Sequence, residues 1–430
     1  MVILFKILQV VLALSLLIIV HEFGHFLFAK LFHIRVEKFY LFFDVKGKCI
    51  CKFHIGETEF GIGWLPFGGY CKIAGMIDES MDLEGIKRDP QPWEFRTHPA
   101  WQRLLVMAGG VLFNFIFAII TYSVISGIWG SAYIPNGETQ IYPNKLAVDM
   151  GFHAGDKVLS MDGYTPTDFS SLQADLVRRE AHQVKVLRGE DTLSIYIDQS
   201  RTSEILNSPM MFDLAMPMVV DSVMAGHNAS VLRKGDRFVK IGGEDVEFLQ
   251  DASPVLKNFA GGMTTAEVLR DGHMEEVCLQ VDTAGRIGIF VKAPTIERRH
   301  YSAMESIGQG FKRTGSTISG YVQDLKLVAK PSTGAYKSVG SFISIGQIFP
   351  NAWDWYQFLS IIALLSIMLG VMNLIPIPGL DGGHILFTLY EMISGRKPSE
   401  KFLIGAQMIG MILLLLLMFL AFGNDIARLF

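Results

Sequence analysis

The sequence has few cysteines and little net charge for its length. Four of its 430 residues are cysteine, and their spacing contains no CxxC pair. A disulfide framework is therefore excluded, and we interpret these residues as small apolar side chains in a reducing compartment, with a second metal site as the alternative. The formal net charge is −4, so the chain lacks the basic character expected of a protein with a nucleic-acid partner. The four cysteines are Cys49, Cys51, Cys71 and Cys278.

Charged residues are also scarce, at 19% of the chain, whereas half of all residues are hydrophobic. This composition is too apolar for an ordinary soluble protein and too polar for a protein that lies wholly in a membrane. The apolar run at residues 1–20 has one charged side chain, Lys6, and it lacks the basic start and the A-x-A site of a cleavable signal peptide. We therefore predict that this run begins a transmembrane helix.

Long apolar runs predict a membrane protein with four transmembrane helices, a membrane-associated β-hairpin region and two extracytoplasmic α+β domains in tandem. The predicted transmembrane helices are residues 1–33, 103–130, 353–393 and 401–424. The predicted regions between them are a β-rich part at 34–102, two domains at 131–208 and 209–295, and a linker at 296–352. Spaced apolar positions within the linker predict an amphipathic helix over 302–330, which either lies at the membrane surface or packs as a linker.

Glycine and proline punctuate the β-rich part. Residues 49–54 and 58–64 predict two strands joined by a turn. Gly61, Ile62 and Gly63 lie inside the second strand, where glycine weakens pairing and often marks a close approach of another backbone. The segment 66–70, with one proline and two glycines, predicts a further turn.

The region between the second and third predicted spans contains an internal repeat. Residues 154–163 recur as residues 234–243, an offset of eighty positions. Both copies follow the pattern G-D-x-[VF]-[LV]-x-[IM]-[DG]-G, which resembles that of PDZ domains. Such domains bind extended peptides by adding a strand to a sheet edge, so peptide ligands are expected here; two packed spacers without a ligand are the alternative.

Loop charge predicts the orientation of the chain in the membrane. Basic residues concentrate in the loop between the first two predicted spans and in the turn between the last two. The positive-inside rule therefore places both loops in the cytoplasm and the two small domains on the outer face. These basic residues are Arg35, Lys38, Lys46, Lys48, Lys52, Lys72, Lys87, Arg88, Arg96 and Arg103 in the loop, and Arg396, Lys397 and Lys401 in the turn.

An HExxH sequence occupies the second half of the first predicted span. On a helix, His21 and His25 lie on one face, one turn apart, where both imidazoles can bind a single Zn²⁺. Glu22 flanks that face and can take a proton from a zinc-bound water. The alternative is a helix-end cluster at the membrane boundary. That alternative fits poorly because apolar sequence continues past the motif to residue 32, and ionisable groups inside a span usually have a function.

A third zinc ligand is expected from the broken segment that ends the third span. Pro376 and Pro378 cannot continue a helix, and irregular backbone at membrane depth is tolerated where it lines a protein cavity. Asp381 is the best candidate ligand, because an isolated carboxylate there would be costly. His384, about one turn further on, is the competing candidate, and a capping role is the alternative for Asp381.

The sequence HEFGH in the first span, together with NLIPIPGLDGG in the third, resembles the site-2 protease family of intramembrane zinc metalloproteases. The resemblance implies that His21, His25 and Asp381 bind one Zn²⁺ and that Glu22 is the general base and acid. It also implies that Asn373 holds the substrate near the zinc.

The same resemblance extends to the β-rich part and to the substrate. The sequence FGIGWLPFGGY is similar to the family's membrane-reentrant β-hairpin, so Gly61, Ile62 and Gly63 are expected at an edge that pairs with an unwound substrate. The implied substrates are transmembrane segments of single-span membrane proteins, such as anti-sigma factors after a first cut and remnant signal peptides. The implied location is the lipid bilayer of the bacterial inner membrane, with the active site opening toward the cytoplasm.

The second span departs from the family's GPxxN pattern. Gly110 keeps the glycine, but Val111 stands where proline is usual. Asn114, at the last position of the pattern, is assigned either an interhelical hydrogen bond or a role in the active site.

Two other functions are compatible with parts of this sequence. A prenyl-peptide type of membrane metalloprotease also carries HExxH, but a glutamate usually supplies its third ligand and it has no PDZ pair. A non-catalytic membrane scaffold would use the PDZ-like domains alone.

Overall fold

The computed structural model describes residues 2–44, 47–76 and 89–429, and the chain divides into two compact units. The first, the membrane unit, comprises residues 1–131, 300–330 and 335–430. The second, the strand-rich unit, comprises residues 132–299 and 331–334. Three basic residues used in the orientation prediction, Lys46, Lys87 and Arg88, lie outside the described residues.

Within the described residues the chain forms eleven α-helices and seventeen β-strands. The helices are α1 (Val2–Leu31), α2 (Ala100–Trp129), α3 (Lys145–Asp149), α4 (Leu172–Arg178), α5 (Thr202–Asn207), α6 (Leu249–Asn258), α7 (Ala303–Val328), α8 (Phe342–Ile348), α9 (Trp355–Leu374), α10 (Asp381–Ser394) and α11 (Glu400–Leu429). The strands are β1 (Val36–Phe43), β2 (Cys49–Ile55), β3 (Thr58–Gly63), β4 (Leu65–Ile73), β5 (Ser131–Tyr133), β6 (Ile141–Pro143), β7 (Lys157–Met161), β8 (Gln183–Arg188), β9 (Asp191–Tyr196), β10 (Phe212–Leu214), β11 (Val220–Val223), β12 (Arg237–Ile241), β13 (Glu244–Asp245), β14 (Met263–Arg270), β15 (His273–Gln280), β16 (Ile289–Val291) and β17 (Glu297–Arg299).

Four helices of the described residues are long and apolar enough to cross a membrane: α1, α2, α9 and most of α11. Each overlaps one of the four predicted spans, so the protein is a membrane protein; the third predicted span, 353–393, contains two helices, α9 and α10. Helix α9 ends at Leu374, two residues before Pro376, because proline removes a backbone donor and clashes with the preceding turn. Helix α10 begins at Asp381, directly after the broken segment.

Helices α1 and α2 touch through their backbones. A Cβ atom on Gly24 of α1 would overlap the carbonyl oxygen of Gly109, and a Cβ on Gly109 would overlap the backbone of Gly24 in turn. Small residues allow such close approach between membrane helices. The contact brings the HExxH turn of α1 directly against the middle of α2.

The amphipathic helix α7 lies along α2 within the membrane unit. Its small residues Ser306 and Gly310 are buried at that contact, and a capping box between Ser302 and Glu305 fixes its start. Phe311, the residue after Gly310, is exposed. The helix predicted over 302–330 therefore packs on a spanning helix through one face.

The β-rich part forms a four-stranded sheet with the order β2-β3-β1-β4. Strands β2 and β3 make the predicted hairpin, in which Ile55 pairs with Thr58. The turn predicted at 66–70 is wrong, because these residues lie inside β4. That strand pairs with β1 and forms one side of the described sheet. Proline is tolerated in such a strand where its missing backbone N–H would point away from the partner strand.

The edge predicted at Gly61, Ile62 and Gly63 is also wrong. Strand β3 is interior to the sheet, with β1 parallel on one side and β2 antiparallel on the other. Gly61, for example, pairs with Tyr40 of β1 and with Lys52 of β2. Both rows of its backbone groups are used within the sheet, so β3 offers no edge to a further strand.

The strand-rich unit repeats one arrangement. Strands β7, β8 and β9 form an antiparallel sheet, and β12, β14 and β15 are joined in the same way. Both copies have a bulge in the first strand, after Val158 and after Phe238. The sequence repeat at an offset of eighty residues is therefore a structural repeat as well.

Each copy also contains the same arginine–aspartate ion pair, in which the aspartate is buried. Arg188 donates to Asp156 at 2.8 Å, and Arg270 donates to Asp236 at 2.8 Å through the corresponding Nε atoms. Both aspartates come from the G-D step of the repeated sequence and are almost fully buried. The G-D step is thus explained in part by a structural requirement, since it places a carboxylate beneath the sheet to bind the arginine.

Candidate metal centre

Helix α1 and the start of α10 bring two histidines and one aspartate together. Asp381 Oδ2 lies 3.2 Å from His21 Nε2 and 3.4 Å from His25 Nε2, and the two imidazole Nε2 atoms are 3.3 Å apart. These are the three residues that the HExxH and LDG sequences singled out. Among the described residues they form one group whose donor atoms all lie within 4.8 Å of one another.

The donor set fits a zinc ion. Asp381 Oδ2 is buried and has no hydrogen-bond partner among the described residues, which is costly for a carboxylate oxygen unless a cation neutralises it. Two imidazole nitrogens and one carboxylate oxygen are also the ligand types that Zn²⁺ prefers, and three protein ligands leave a position for water. His21, His25 and Asp381 would therefore hold the ion.

The ring of His25 is fixed from its far side by α2. Its Nδ1 atom lies 2.8 Å from the backbone carbonyl oxygen of Val106, which accepts a hydrogen bond from a protonated Nδ1. That contact leaves Nε2 unprotonated and turned toward Asp381, the arrangement usual for a metal-binding histidine.

A glycine of α2 makes room for both rings. A Cβ atom on Gly110 would overlap Nε2 of His25 and Cε1 of His21. In the sequence, this glycine was identified as part of the family pattern in the second span, without a role at the centre itself. The available signal was its place in the G-x-x-x-N pattern of the second span, which the sequence alone does not connect to the histidines.

Glu22 lies next to the three ligand candidates without belonging to the group. Its carboxylate interacts electrostatically with both histidines and with Asp381, and it accepts a hydrogen bond from the backbone N–H of Cys71. Cys71 belongs to β4, which packs against α1. The sheet therefore holds the carboxylate beside the centre.

Two asparagines contact His21. Asn373, just before the end of α9, places Nδ2 at 3.1 Å from Nε2 of His21, so its amide borders the position of the ion. Asn114 of α2 places Nδ2 at 3.0 Å from Nδ1 of the same ring. The two amides thus lie at opposite nitrogens of one imidazole.

The competing ligand candidate is not part of the group. His384 lies one turn further along α10, where it lines a cavity of about 110 Å³ together with Arg103 and Glu391. Arg103 and Glu391 form an ion pair of 2.6 Å in that cavity. Gly61, Ile62 and Gly63 belong to β3, on the far side of β1 from β4, the strand that carries the bond to Glu22.

A site with this donor set, held between helices that can cross a membrane and beside a carboxylate able to exchange protons, defines the class of membrane zinc metalloendopeptidases. The sequence profile of Peptidase family M50 matches residues 9–417. The chain therefore belongs to peptidase family M50, the site-2 protease family, and its cofactor is Zn²⁺.

Individual relatives cover nearly the whole chain. It is 29% identical to the Regulator of sigma-E protease RseP of Salmonella typhimurium, over 97% of this chain and 98% of that protein. It is 29% identical to the Protease RseP of Yersinia pestis, again over 97% and 98%. A Vibrio cholerae protein, named provisionally as a zinc metalloprotease, is 27% identical over 99% of both chains.

Proposed function

We propose that the protein cleaves transmembrane segments of single-span membrane proteins in regulated intramembrane proteolysis. The observation that carries this proposal is the buried group of His21, His25 and Asp381, set among spanning helices with Glu22 beside it. A hydrolytic centre at that depth meets peptide bonds that lie within the membrane. In this proposal the two histidines and Asp381 bind Zn²⁺, and Glu22 is the general base and then the general acid.

The ion supplies one part of the chemistry, because bound Zn²⁺ makes water more acidic and polarises a carbonyl. The protein supplies the rest. Glu22 takes the proton from the attacking water and later gives it to the leaving amine. The hydrogen bond from Cys71 N–H orients the Glu22 carboxylate for both transfers.

The substrate must be extended before it can be cut, because a helix hides its carbonyl groups in its own hydrogen bonds. We place the pairing edge on β4, since β1 is its partner on one side of the described sheet and Cys71 of this strand contacts Glu22. A segment added to β4 would run past the centre in an extended form. Asn373, with its amide next to His21 Nε2, would hold a substrate carbonyl near the ion.

In this proposal Gly61, Ile62 and Gly63 do not contact the substrate directly. They pair with β1, which in turn pairs with β4, so they support the edge without forming it. Their part in substrate binding is mediated by the rigidity of the sheet.

The strand-rich unit is proposed to contain two PDZ-like domains, at 131–208 and 209–295, that bind peptides and restrict access by substrates with large outer domains. The repeated sheet and ion pair support a duplicated module. The basic loops favour an orientation with these domains on the outer face of a bacterial inner membrane. Because the Salmonella typhimurium relative is named as a regulator of sigma-E protease, anti-sigma factors are the first substrate class to test, and remnant signal peptides the second.

The prenyl-peptide type of metalloprotease is disfavoured by the third ligand candidate, which is an aspartate at the start of a helix. A pure scaffold does not account for a carboxylate oxygen that is buried against two histidine rings with no hydrogen-bond partner among the described residues.

The direct test uses Glu22→Gln in the full-length protein with a single-span substrate that lacks a large outer domain. We expect cleavage to fall by about 10²–10⁴-fold, the usual range for a general acid–base group, while zinc content is kept. Glu190→Gln, which makes the same change in an exposed turn of the strand-rich unit, should cut normally. Cleavage by Glu22→Gln at the wild-type rate would contradict the proposed mechanism. Comparing membrane proteomes with and without this variant would show which single-span proteins accumulate.

A further inference from the structure

Asn114 is a fully buried polar residue in the middle of a spanning helix. It follows Gly110 by about one turn of α2, on the side that faces the rings of the centre. Its amide Nδ2 lies 3.0 Å from Nδ1 of His21, and its Oδ1 atom is buried without a hydrogen-bond partner among the described residues. A buried amide oxygen that lacks a donor is costly, so this side chain calls for an explanation.

The chemistry of His21 explains why the amide of Asn114 is buried at this position. The Nε2 atom of the ring faces Asp381 and His25, so this is the nitrogen that would bind the ion. A neutral imidazole that binds a metal through Nε2 carries its proton on Nδ1, and that N–H needs an acceptor. An asparagine amide offers both a donor and an acceptor, because a half-turn about its last torsion exchanges Nδ2 with Oδ1 in nearly the same volume.

We propose that Asn114 is a positioning residue that fixes the zinc-binding tautomer and orientation of His21. With the metal bound, Oδ1 of Asn114 accepts the hydrogen bond from Nδ1–H; without it, Nδ2 can donate to the same nitrogen. The inference rests on the proposed ligand set and adds a residue to the support of the centre. Asn114 does not touch the reacting atoms.

The position of Asn114 is itself held by two helices. Its backbone oxygen accepts a hydrogen bond of 2.9 Å from Ser366 Oγ on α9. Eight residues earlier on the same face of α2, the carbonyl oxygen of Val106 contacts Nδ1 of His25. Helix α2 therefore contacts the Nδ1 atoms of both histidines, one through its backbone and the other through a side chain. Groups behind metal ligands orient the rings and typically change metal affinity by about 10–100-fold when removed.

The test measures zinc affinity of the purified full-length protein by competition with a chelator, independently of proteolysis. Asn114→Leu keeps the shape but removes the acceptor, and we expect zinc binding to weaken by about 10–100-fold. Asn114→Asp restores an acceptor for Nδ1–H, and we expect zinc affinity close to that of the wild type. The control is Thr121→Val, which removes another buried polar group of α2, bonded to its own helix at Phe117, and should leave zinc affinity unchanged.

A role limited to helix packing gives a different pattern. It would lower the unfolding temperature of the metal-free protein in both Asn114 variants and leave zinc affinity of the folded fraction unchanged. That result would overturn the inference, as would an Asn114→Asp variant that loses zinc as completely as Asn114→Leu. If the leucine variant does not fold, Asn114→Ala provides the same comparison with a smaller side chain.

Failure of the ligand set is recognised separately. His21→Ala should abolish stoichiometric zinc binding. If this variant keeps zinc, the assignment of His21 as a ligand is wrong; if it loses zinc while Asn114→Leu does not, the ligand set stands and the inference about Asn114 fails alone.

Discussion

Buried aspartates occur in both units of this protein, and their surroundings differ in one respect. In the strand-rich unit, Asp236 accepts hydrogen bonds from Arg270 and from the backbone N–H of Arg233. In the membrane unit, Asp381 has an oxygen that is buried without a hydrogen-bond partner among the described residues. A carboxylate whose bonds are satisfied within the fold stabilises that fold, whereas one that lacks a partner is available to bind an ion.

The largest effect that would test this comparison is at the unsatisfied carboxylate. We expect Asp381→Asn to abolish stoichiometric zinc and proteolysis, because a neutral amide is a poor zinc ligand. The unfolding temperature of the metal-free protein should not fall, since Asp381 Oδ2 contacts the two histidine rings but accepts no hydrogen bond from the described residues. Zinc per chain and thermal unfolding with a chelator measure both quantities. A variant that keeps zinc but unfolds more easily would show that Asp381 is structural.

The second effect is at the satisfied carboxylate. Asp236→Asn leaves the Arg270 guanidinium buried without its main partner, which typically costs about 3–5 kcal/mol. We expect residues 212–291 to be cleaved faster by an added protease and to exchange their amide hydrogens faster. The zinc content should be unchanged. Asp245→Asn is the matched control, because the ion pair of Asp245 with Lys240 is exposed and worth about 0–1 kcal/mol. Loss of zinc in the Asp236 variant would contradict the distinction between a structural aspartate and a metal-binding one.

A smaller effect is expected from adding one methyl group beside the centre. Gly110→Ala places a Cβ against both imidazoles, and overpacking of this kind costs about 1–3 kcal/mol. Zinc affinity should fall because the rings must move. Gly308→Ala makes the same change on α7, where the added Cβ meets open space, and should be neutral or slightly stabilising. Wild-type zinc affinity in the Gly110 variant would show that the rings have room to move without loss.

The smallest effect is in the pH dependence of the strand-rich unit. Burial by itself would raise the pKa of Asp236, but hydrogen bonds from Arg270 and Arg233 outweigh it and hold the pKa below its usual range. A depressed pKa in the folded state contributes stability above the unfolded value, about 3.9, that is lost as the pH falls through the folded one. Acidification below about pH 5 should therefore begin to destabilise residues 212–291, as followed by hydrogen exchange. The same titration of Asp236→Asn should be flatter, and equal slopes would show that other groups dominate.

Several features of the fold could be predicted from local sequence. The spans follow from apolar length, the end of α9 from Pro376, and the repeat from direct comparison of residues 154–163 with 234–243. The turn predicted at 66–70 failed because proline and glycine are compatible with an outer strand when the partner lies on one side. The edge predicted at Gly61 failed because the partners of a strand are chosen by distant segments, here β1 and β2.

Some residues of the candidate site could likewise be predicted from local sequence, and others could not. The spacing within HExxH by itself predicts that the two histidines are adjacent, since residues i and i+4 share a face of any helix. Asp381 was assigned through the cost of an isolated carboxylate at membrane depth. Gly110 and Asn114 could be identified only as part of the G-x-x-x-N pattern of the second span. Their relation to the histidines depends on the contact between Gly24 and Gly109, on two helices whose segments are far apart in the chain.

The sequence by itself determined the four spans, the repeat, the turn of α1 that carries both histidines, and the chemistry available at Glu22 and Asp381. Each of these depends on residue type and on spacing within one element, which local geometry converts directly into structure. Tertiary structure alone decided that β4 rather than β3 borders the centre and that Asn114 faces His21. Both depend on how separate elements pack, and packing is set by the whole set of contacts made at once.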